Sequence, residues 1–151
     1  MSKMMKFSTH YWETLIRLAE HAARCNEVPI SAMLIHNDQI IAMAHNTVET
    51  HNDPTLHAEM LVLKEGFAQR GKHLSDCDLY VSLEPCPMCA HAIKLSQVRR
   101  LYFGAYDPKG GGVEHGPRIL QNLDRIEIFG GFHEKEFNQQ LQAFFATLRK
   151  N

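Results

Sequence analysis

Apolar positions along the chain switch between two periods, and the switches divide it into elements. Ser8 can cap a helix in which Leu15, Ile16, Leu18, Ala19, Ala22 and Ala23 recur at helical spacing, with an end expected near Asn26. Ile30 to His36 and Ile40 to His45 read as short strands, and Asn37 and Asp38 supply the turn of a hairpin. A polar loop, "TVETHNDPT", follows. "HAEMLVLKEGFAQRG" is apolar at 58, 60, 61, 63 and 67, which predicts a helix starting near His57 and stopping at Gly71. "CDLYVSL" at 77 to 83 is rich in strand formers, 86 to 96 looks helical, and "VRRLYFGA" at 98 to 105 reads as strand again. Strand, helix, strand in that order predicts a right-handed parallel crossover. Beyond the Gly-rich "DPKGGGVEHGP" the pattern predicts a short helix over 117 to 123, a strand over 125 to 130 and a final helix from Glu134 to Leu148. Together these give a three-layer α/β fold, helices on both faces of a mixed sheet, in a single domain spanning 1–151 without a linker.

Composition narrows the picture without changing it. With 44% hydrophobic and 22% charged residues, the chain reads as a soluble globular protein. A domain of 151 residues buries roughly 70% of the surface of its unfolded chain. No apolar run reaches the ~18 residues of a membrane span, and the N-terminus has none of signal-peptide length, so a cytoplasmic protein with no membrane partner is expected. Lys and Arg total 16 against 17 Asp and Glu, and the net charge of -1 offers no broad attraction to phosphate. Any nucleic-acid binding must be local.

The candidate chemistry lies in "HAE" at 57 to 59 and "PCPMC" at 85 to 89. Residues three apart on a helix share a face, so Cys86 and Cys89 can converge. Pro87 suits a first helical turn, which places both sulfurs at the positive end of the helix dipole, where thiolate is favoured. His57 adds an imidazole. Three protein ligands leave one tetrahedral position for water, the arrangement of a catalytic zinc rather than a closed structural one. Glu59 can then carry the proton of that water. In an ideal helix residues 57 and 59 point about 200° apart, so the chain is expected to enter this helix irregularly, or the water to lie off its N-terminal end. A thioredoxin-type redox pair and a structural zinc completed by Cys77 or another histidine are the competing uses of the cysteines. "HAE" argues against the first, and the lack of a second close-spaced pair against the second. Cys25 and Cys77 are expected to be small, buried, inert thiols. His10, His21, His36, His73 and His133 are read as residues without a role, and His91 and His115 fall near the candidate site by sequence only.

Zinc nucleobase deaminases carry the pattern H-x-E…P-C-x-x-C, which "HAE" and "PCPMC" match. With "EVPISAMLI", "HNDPTLHAEM", "LYVSLEPCPMCAHAI" and "RRLYFGAYDPKGGG", the chain resembles the bacterial tRNA-specific adenosine deaminases, within the cytidine/deoxycytidylate deaminase superfamily, over about residues 8 to 148. The resemblance implies the cytidine-deaminase-like fold, with a five-stranded mixed sheet whose fifth strand runs parallel to the fourth. It implies His57, Cys86 and Cys89 as ligands of Zn2+ and Glu59 as the proton shuttle. Asn46 would hold the ribose and base, Pro29 and Ala32 would line the pocket floor, and the backbone N–H of Ala58 would hold the base edge. Pro54 would shape the loop entering the catalytic helix, and Asp107 would stand on a rim loop facing nucleic acid.

The implied activity is hydrolytic deamination of adenosine to inosine at the wobble position of tRNA anticodons, by a zinc-activated water. The anticodon loop would be the partner and a homodimer the assembly. Lys64, Lys94, Arg99, Arg100, Lys109 and Arg118 are the candidate rim cations. A free nucleobase or nucleoside deaminase of guanine or cytosine type is the alternative, and near-neutral charge favours it slightly. An idle zinc scaffold is disfavoured by Glu59. The chain departs from the family at Ser31, where glycine is usual, at His91, where a small residue is usual, and in the short segment Gln121 to Asp124.

Overall fold

A computed structural model describes residues 3–149, with side chains from Thr9 onward. Helix α1 (Lys3–Arg24) begins earlier than Ser8, which lies inside it rather than capping it. Met4, Met5 and Lys6 are good helix formers, and nothing before Ser8 breaks the helix. It ends where expected. Asn26 takes the left-handed conformation (φ 61), while Asn26 N–H donates to the Ala23 carbonyl and Glu27 N–H to the Ala22 carbonyl, the paired bonds of a Schellman stop.

Strands β1 (Ser31–His36) and β2 (Gln39–His45) form the predicted hairpin, and Asn37 and Asp38 both adopt positive φ at its tip. The segment read as loop contains a single helical turn, α2 (Val48–His51). Then come α3 (Ala58–Arg70), β3 (Cys77–Leu83), α4 (Pro87–Ser96) and β4 (Arg100–Ala105). A short β5 (Glu127–Phe129) and α5 (Glu134–Arg149) complete the chain.

The sheet order is β2-β1-β3-β4-β5, with β1 antiparallel to both neighbours and β3, β4 and β5 mutually parallel. The fifth strand is therefore parallel to the fourth, as the resemblance implied. The expected helix over 117 to 123 does not form. Positive φ at Gly116, Arg118 and Asn122 breaks the segment into turns, and Pro117 removes a donor. Its apolar spacing reflects burial alone, since Leu120 and Ile126 anchor the turns in the core while Ile119 and Leu123 pack at its edge.

Alternation along the central strands sorts the core into two layers. Ala32, Leu34, Leu79, Val81, Leu101 and Phe103 pack against Ala58, Val62 and Leu63 of α3 and Ala90 and Ile93 of α4. Met33, Ile35 and Tyr80 face the other way, onto Tyr11, Trp12 and Leu15 of α1 and Phe137 of α5. Three layers result. Among the described residues, no helix is long and apolar enough to cross a membrane.

Candidate active site

Both α3 and α4 start beside the C-terminal end of β3, and each begins on a residue that is extended rather than helical. His57 is the N-cap of α3 (φ -72, ψ 150) and Cys86 the N-cap of α4 (φ -69, ψ 170). The irregular entry expected for the first helix is thus the cap itself: His57 stands outside the helical turn that carries Glu59. His57 Nδ1 lies 3.6 Å from Cys86 Sγ and 3.5 Å from Cys89 Sγ. Zinc bonds of about 2.3 Å to sulfur and 2.0–2.1 Å to nitrogen, at tetrahedral angles, separate N and S by about 3.6 Å. The donor set therefore fits a zinc ion. Among the described residues, His57, Cys86 and Cys89 are the group whose donor atoms lie within 4.8 Å of one another.

The electrostatics suit the same ion. The hydrogen bond with Cys86 raises the His57 pKa. The Cys86 thiol is lowered, first by its hydrogen bond from Cys89 and then, against burial, by His57. Cys89 moves the opposite way because it holds the shared proton and is buried. A cation between the sulfurs replaces that proton and removes the asymmetry. Glu59 is buried on the first turn of α3, and burial lifts its carboxyl to about 7. Its Oε1 has no hydrogen-bond partner within the protein. A buried polar atom is normally paired, so this oxygen marks a place for water or substrate.

The remaining expected residues distribute unevenly. Asn46 is buried at the end of β2, and its Oδ1 accepts the Ala58 N–H at 2.8 Å. That N–H is accordingly engaged by Asn46, which leaves the Asn46 Nδ2 group free to donate. Ala32 lies in the same core cluster as Ala58. Pro29 is buried and edges a groove between α1 and α5. Asp107 stands on the rim of a 590 Å³ cavity shared with Val28, Ile30, Leu83, Tyr106 and Lys109. The Ser31 hydroxyl donates to the Leu15 carbonyl of α1 at 2.7 Å, so it ties the sheet to α1 instead of standing beside Ala58. Cys77 is buried as expected, but Cys25 is exposed, because it follows the last residue of α1.

Half of the expected rim cations lie elsewhere. Arg99 grips Asp78 bidentately (3.0 and 2.9 Å), and Arg100 bridges Asp78 and Glu127. Asp78 is the second residue of β3, five residues or about 17 Å of strand from its far end. Lys94 is in the last turn of α4, also away from the site. Lys109 alone of the six borders the 590 Å³ cavity, while Arg118 lines a second cavity of 320 Å³ with Gln121, Asn122 and Asp124.

Two glutamates that the sequence reading passed over hold the surrounding loops. Glu84, with a fully buried side chain, accepts N–H bonds from Asp107, Val113, Glu114 and His115, and its Oε1 lies 2.8 Å from His115 Nδ1. Gly112 permits the close approach, since a Cβ there would lie 2.7 Å from the Pro87 nitrogen. Glu27 accepts the N–H groups of Glu49 (3.0 Å) and Thr50 (2.7 Å) and the Thr50 hydroxyl, which fixes the loop between Asn46 and His57. The signal for Glu84 was an acidic residue at the end of an apolar strand, and for Glu27 one at the start of the apolar run that leads into β1.

A search against protein families matches residues 5–105 to the cytidine and deoxycytidylate deaminase zinc-binding region. The chain belongs to that family: it is a deaminase, and zinc is its cofactor. It is 44% identical over 144 residues to a tRNA-specific adenosine deaminase of Bacillus subtilis (strain 168), covering 93% of this chain and 89% of the relative. A solved structure from a study of A-to-I editing by tRNA:A34 deaminases superposes with a TM-score of 0.83 at 40% identity, covering 88% of this chain and 99% of that one. A guanine deaminase from Nitrosomonas europaea shares the fold, with a TM-score of 0.78 at 23% identity over 89% of this chain and 82% of that one.

Burial alone would raise the Glu27 pKa, but the Thr50 hydroxyl and the Glu49 and Thr50 N–H groups outweigh it and hold the carboxyl below 4.5. A depressed folded pKa gives stability that is present above the unfolded value and lost as pH falls through the folded one. Urea unfolding should therefore show the largest wild-type advantage over Glu27→Gln near pH 7, narrowing below pH 4.5. A gap that stays constant on acidification would deny Glu27 this role.

Proposed function

We propose that this chain deaminates adenosine to inosine hydrolytically at the wobble position of tRNA anticodons. The observation that carries the reading is the His57, Cys86 and Cys89 donor set beside a buried Glu59 whose Oε1 is unpaired. Similarity to tRNA-specific adenosine deaminases along most of the chain supports the substrate, and cytoplasmic residence is inferred from it. His57, Cys86 and Cys89 hold the zinc, which when bound supplies a Lewis acid that makes water nucleophilic near neutral pH.

Glu59 carries one proton of the water to the ring nitrogen of adenine and then the second, from the hydroxyl newly formed at C6, to the departing amine. Water adds at C6, the C6–N bond breaks, and ammonia leaves. Asn46 Nδ2 donates to the nucleoside while its Oδ1 remains on Ala58, and Ala32 backs the pocket from the sheet. The 590 Å³ cavity takes nucleotides flanking the target base, with Asp107 and Lys109 on its rim. Anticodon loops present unstacked bases at little cost, which suits a recessed site.

Metal analysis should find zinc at the wild-type level in Glu59→Gln and a loss of the catalytic zinc in Cys86→Ala and Cys89→Ala. Glu59→Gln should keep its fold and lose about 10²- to 10⁴-fold in turnover, since an amide carries no proton. Wild-type turnover in Glu59→Gln removes it from the mechanism, and full zinc retention in both cysteine variants removes the ligand assignment.

The substrate is decided by comparing an anticodon stem-loop bearing wobble adenosine with free guanine, adenine and cytosine across a salt series. Stem-loop turnover should dominate and fall with salt, and Lys109→Ala should reduce it and flatten the slope. Preference for a free base would instead establish the small-molecule alternative.

We propose a homodimer as the assembly, supported by α4, which leaves Met88, His91 and Leu95 at i, i+3 and i+7 along its outer face, with Leu95 64% exposed. The imidazole of His91 belongs to this face rather than to the pocket. Sedimentation at micromolar concentration should give twice the monomer mass, and Leu95→Glu should halve it. A wild-type chain that sediments as monomer rules the dimer out.

A further inference from the structure

A second group of soft donors lies where α1 meets the end of β2. His21 and Cys25 are four residues apart at the C-terminal end of α1, with His21 Nε2 3.6 Å from Cys25 Sγ. That is the same N···S separation as between His57 and Cys86, and the one a tetrahedral zinc sets, about 3.6 Å. The third donor is His45, the last residue of β2, whose ring centroid is 5.4 Å from that of His21 at an interplanar angle of 64°. Two imidazoles on one tetrahedral zinc place their centroids about 5 Å apart, given Zn–N bonds of about 2.0–2.1 Å. His45 Nδ1 lies 2.7 Å from the Asn46 carbonyl, which can only accept. Nδ1 therefore carries the proton and Nε2 keeps its lone pair, the orientation that metal-bound histidines obtain from an outer partner.

The surroundings favour a cation. The negative end of the α1 dipole lies at this turn, and the buried Glu27 carboxylate acts electrostatically on His45. The three donor atoms do not all lie within 4.8 Å of one another in this structure, but His21 and Cys25 are exposed, so rotation of their side chains would close the group on the more sheltered His45.

We propose that His21, Cys25 and His45 form a second site for a thiophilic divalent cation, zinc by preference, separate from the catalytic donor set. One thiolate and two imidazoles are the donors that zinc favours, and the fourth position is open to water. An ion bound there ties the end of α1 to the residue immediately before Asn46.

The test uses the full chain already loaded with its catalytic zinc, dialysed against a series of free zinc concentrations. Wild type should take up a second zinc per chain. Cys25→Ala, His21→Ala and His45→Ala should each weaken that uptake at least tenfold, because loss of even an outer partner costs about 10- to 100-fold in affinity. All three should retain the first ion. Zinc should also slow alkylation of Cys25, which is exposed whereas Cys77 and Cys89 are buried. Uptake that stops at one zinc per chain, or alkylation of Cys25 at a rate indifferent to zinc, overturns the proposal. Undiminished second binding in His45→Ala overturns the three-donor site as well, since it leaves only a pair on one helix.

Discussion

Two N···S contacts, 3.5 and 3.6 Å long, bring the starts of α3 and α4 to one point, and the structure is organised around the charge collected there. A helix start presents unpaired N–H groups and the positive end of a dipole, so two of them facing each other call for negative partners. Thiolates meet that demand, and a cation between them then needs one neutral imidazole more than a third anion. The cost falls on the helices. Neither His57 nor Cys86 makes a side-chain capping bond, although both occupy N-cap positions. Against Ser, Thr, Asp or Asn at the same position, such a cap forgoes about 0.5–2 kcal/mol. Residues that would stabilise the helices give way there to the donors proposed to hold the metal.

Donors held to within tenths of an ångström need loops that do not drift, and the protein supplies this with two buried carboxylates. Glu84 fixes the 107 to 115 loop from a position two residues before Cys86, and Glu27 fixes the loop that delivers His57. Each ionised carboxylate is costly to bury alone, yet each is saturated by backbone N–H donors that would otherwise be orphaned in irregular chain. The glutamate and the loop satisfy each other. Glycine at 112 belongs to the same arrangement, because a side chain there would meet the Pro87 backbone.

The layers, the strand order of the hairpin and crossover, and the meeting of His57 with Cys86 and Cys89 were legible in the sequence because each rests on a local pattern. Apolar residues at 58, 62 and 63 face one layer, and Asn37 and Asp38 tolerate the positive φ that their turn requires. What sequence left hidden depends on distant partners. The 117 to 123 stretch shows helical apolar spacing, but its left-handed residues are fixed by packing against the core. Cys25 read as buried because cysteine usually is, yet it falls one residue beyond the end of α1. Arg99 and Arg100 read as rim cations because the chain runs on from them toward Asp107. A strand separates the two ends, and Asp78 claims both guanidinium groups at the far one.

That placement bears on how the proposed substrate is recognised. Asp78 and Glu127 together offset the charges of Arg99 and Arg100, and the net charge of -1 gives no long-range field to replace them. What borders the 590 Å³ cavity is instead largely apolar and aromatic: Val28, Ile30, Leu83, Tyr106 and Phe145, with Lys109 as the cation among its lining residues. Single-stranded RNA is held well by such a surface, since every base has a face to stack and burial rewards stacking irrespective of charge. Electrostatics then contributes at a few phosphates, and shape does the selecting. On the proposed reading, a chain of this charge would discriminate a splayed loop from duplex RNA without attracting both.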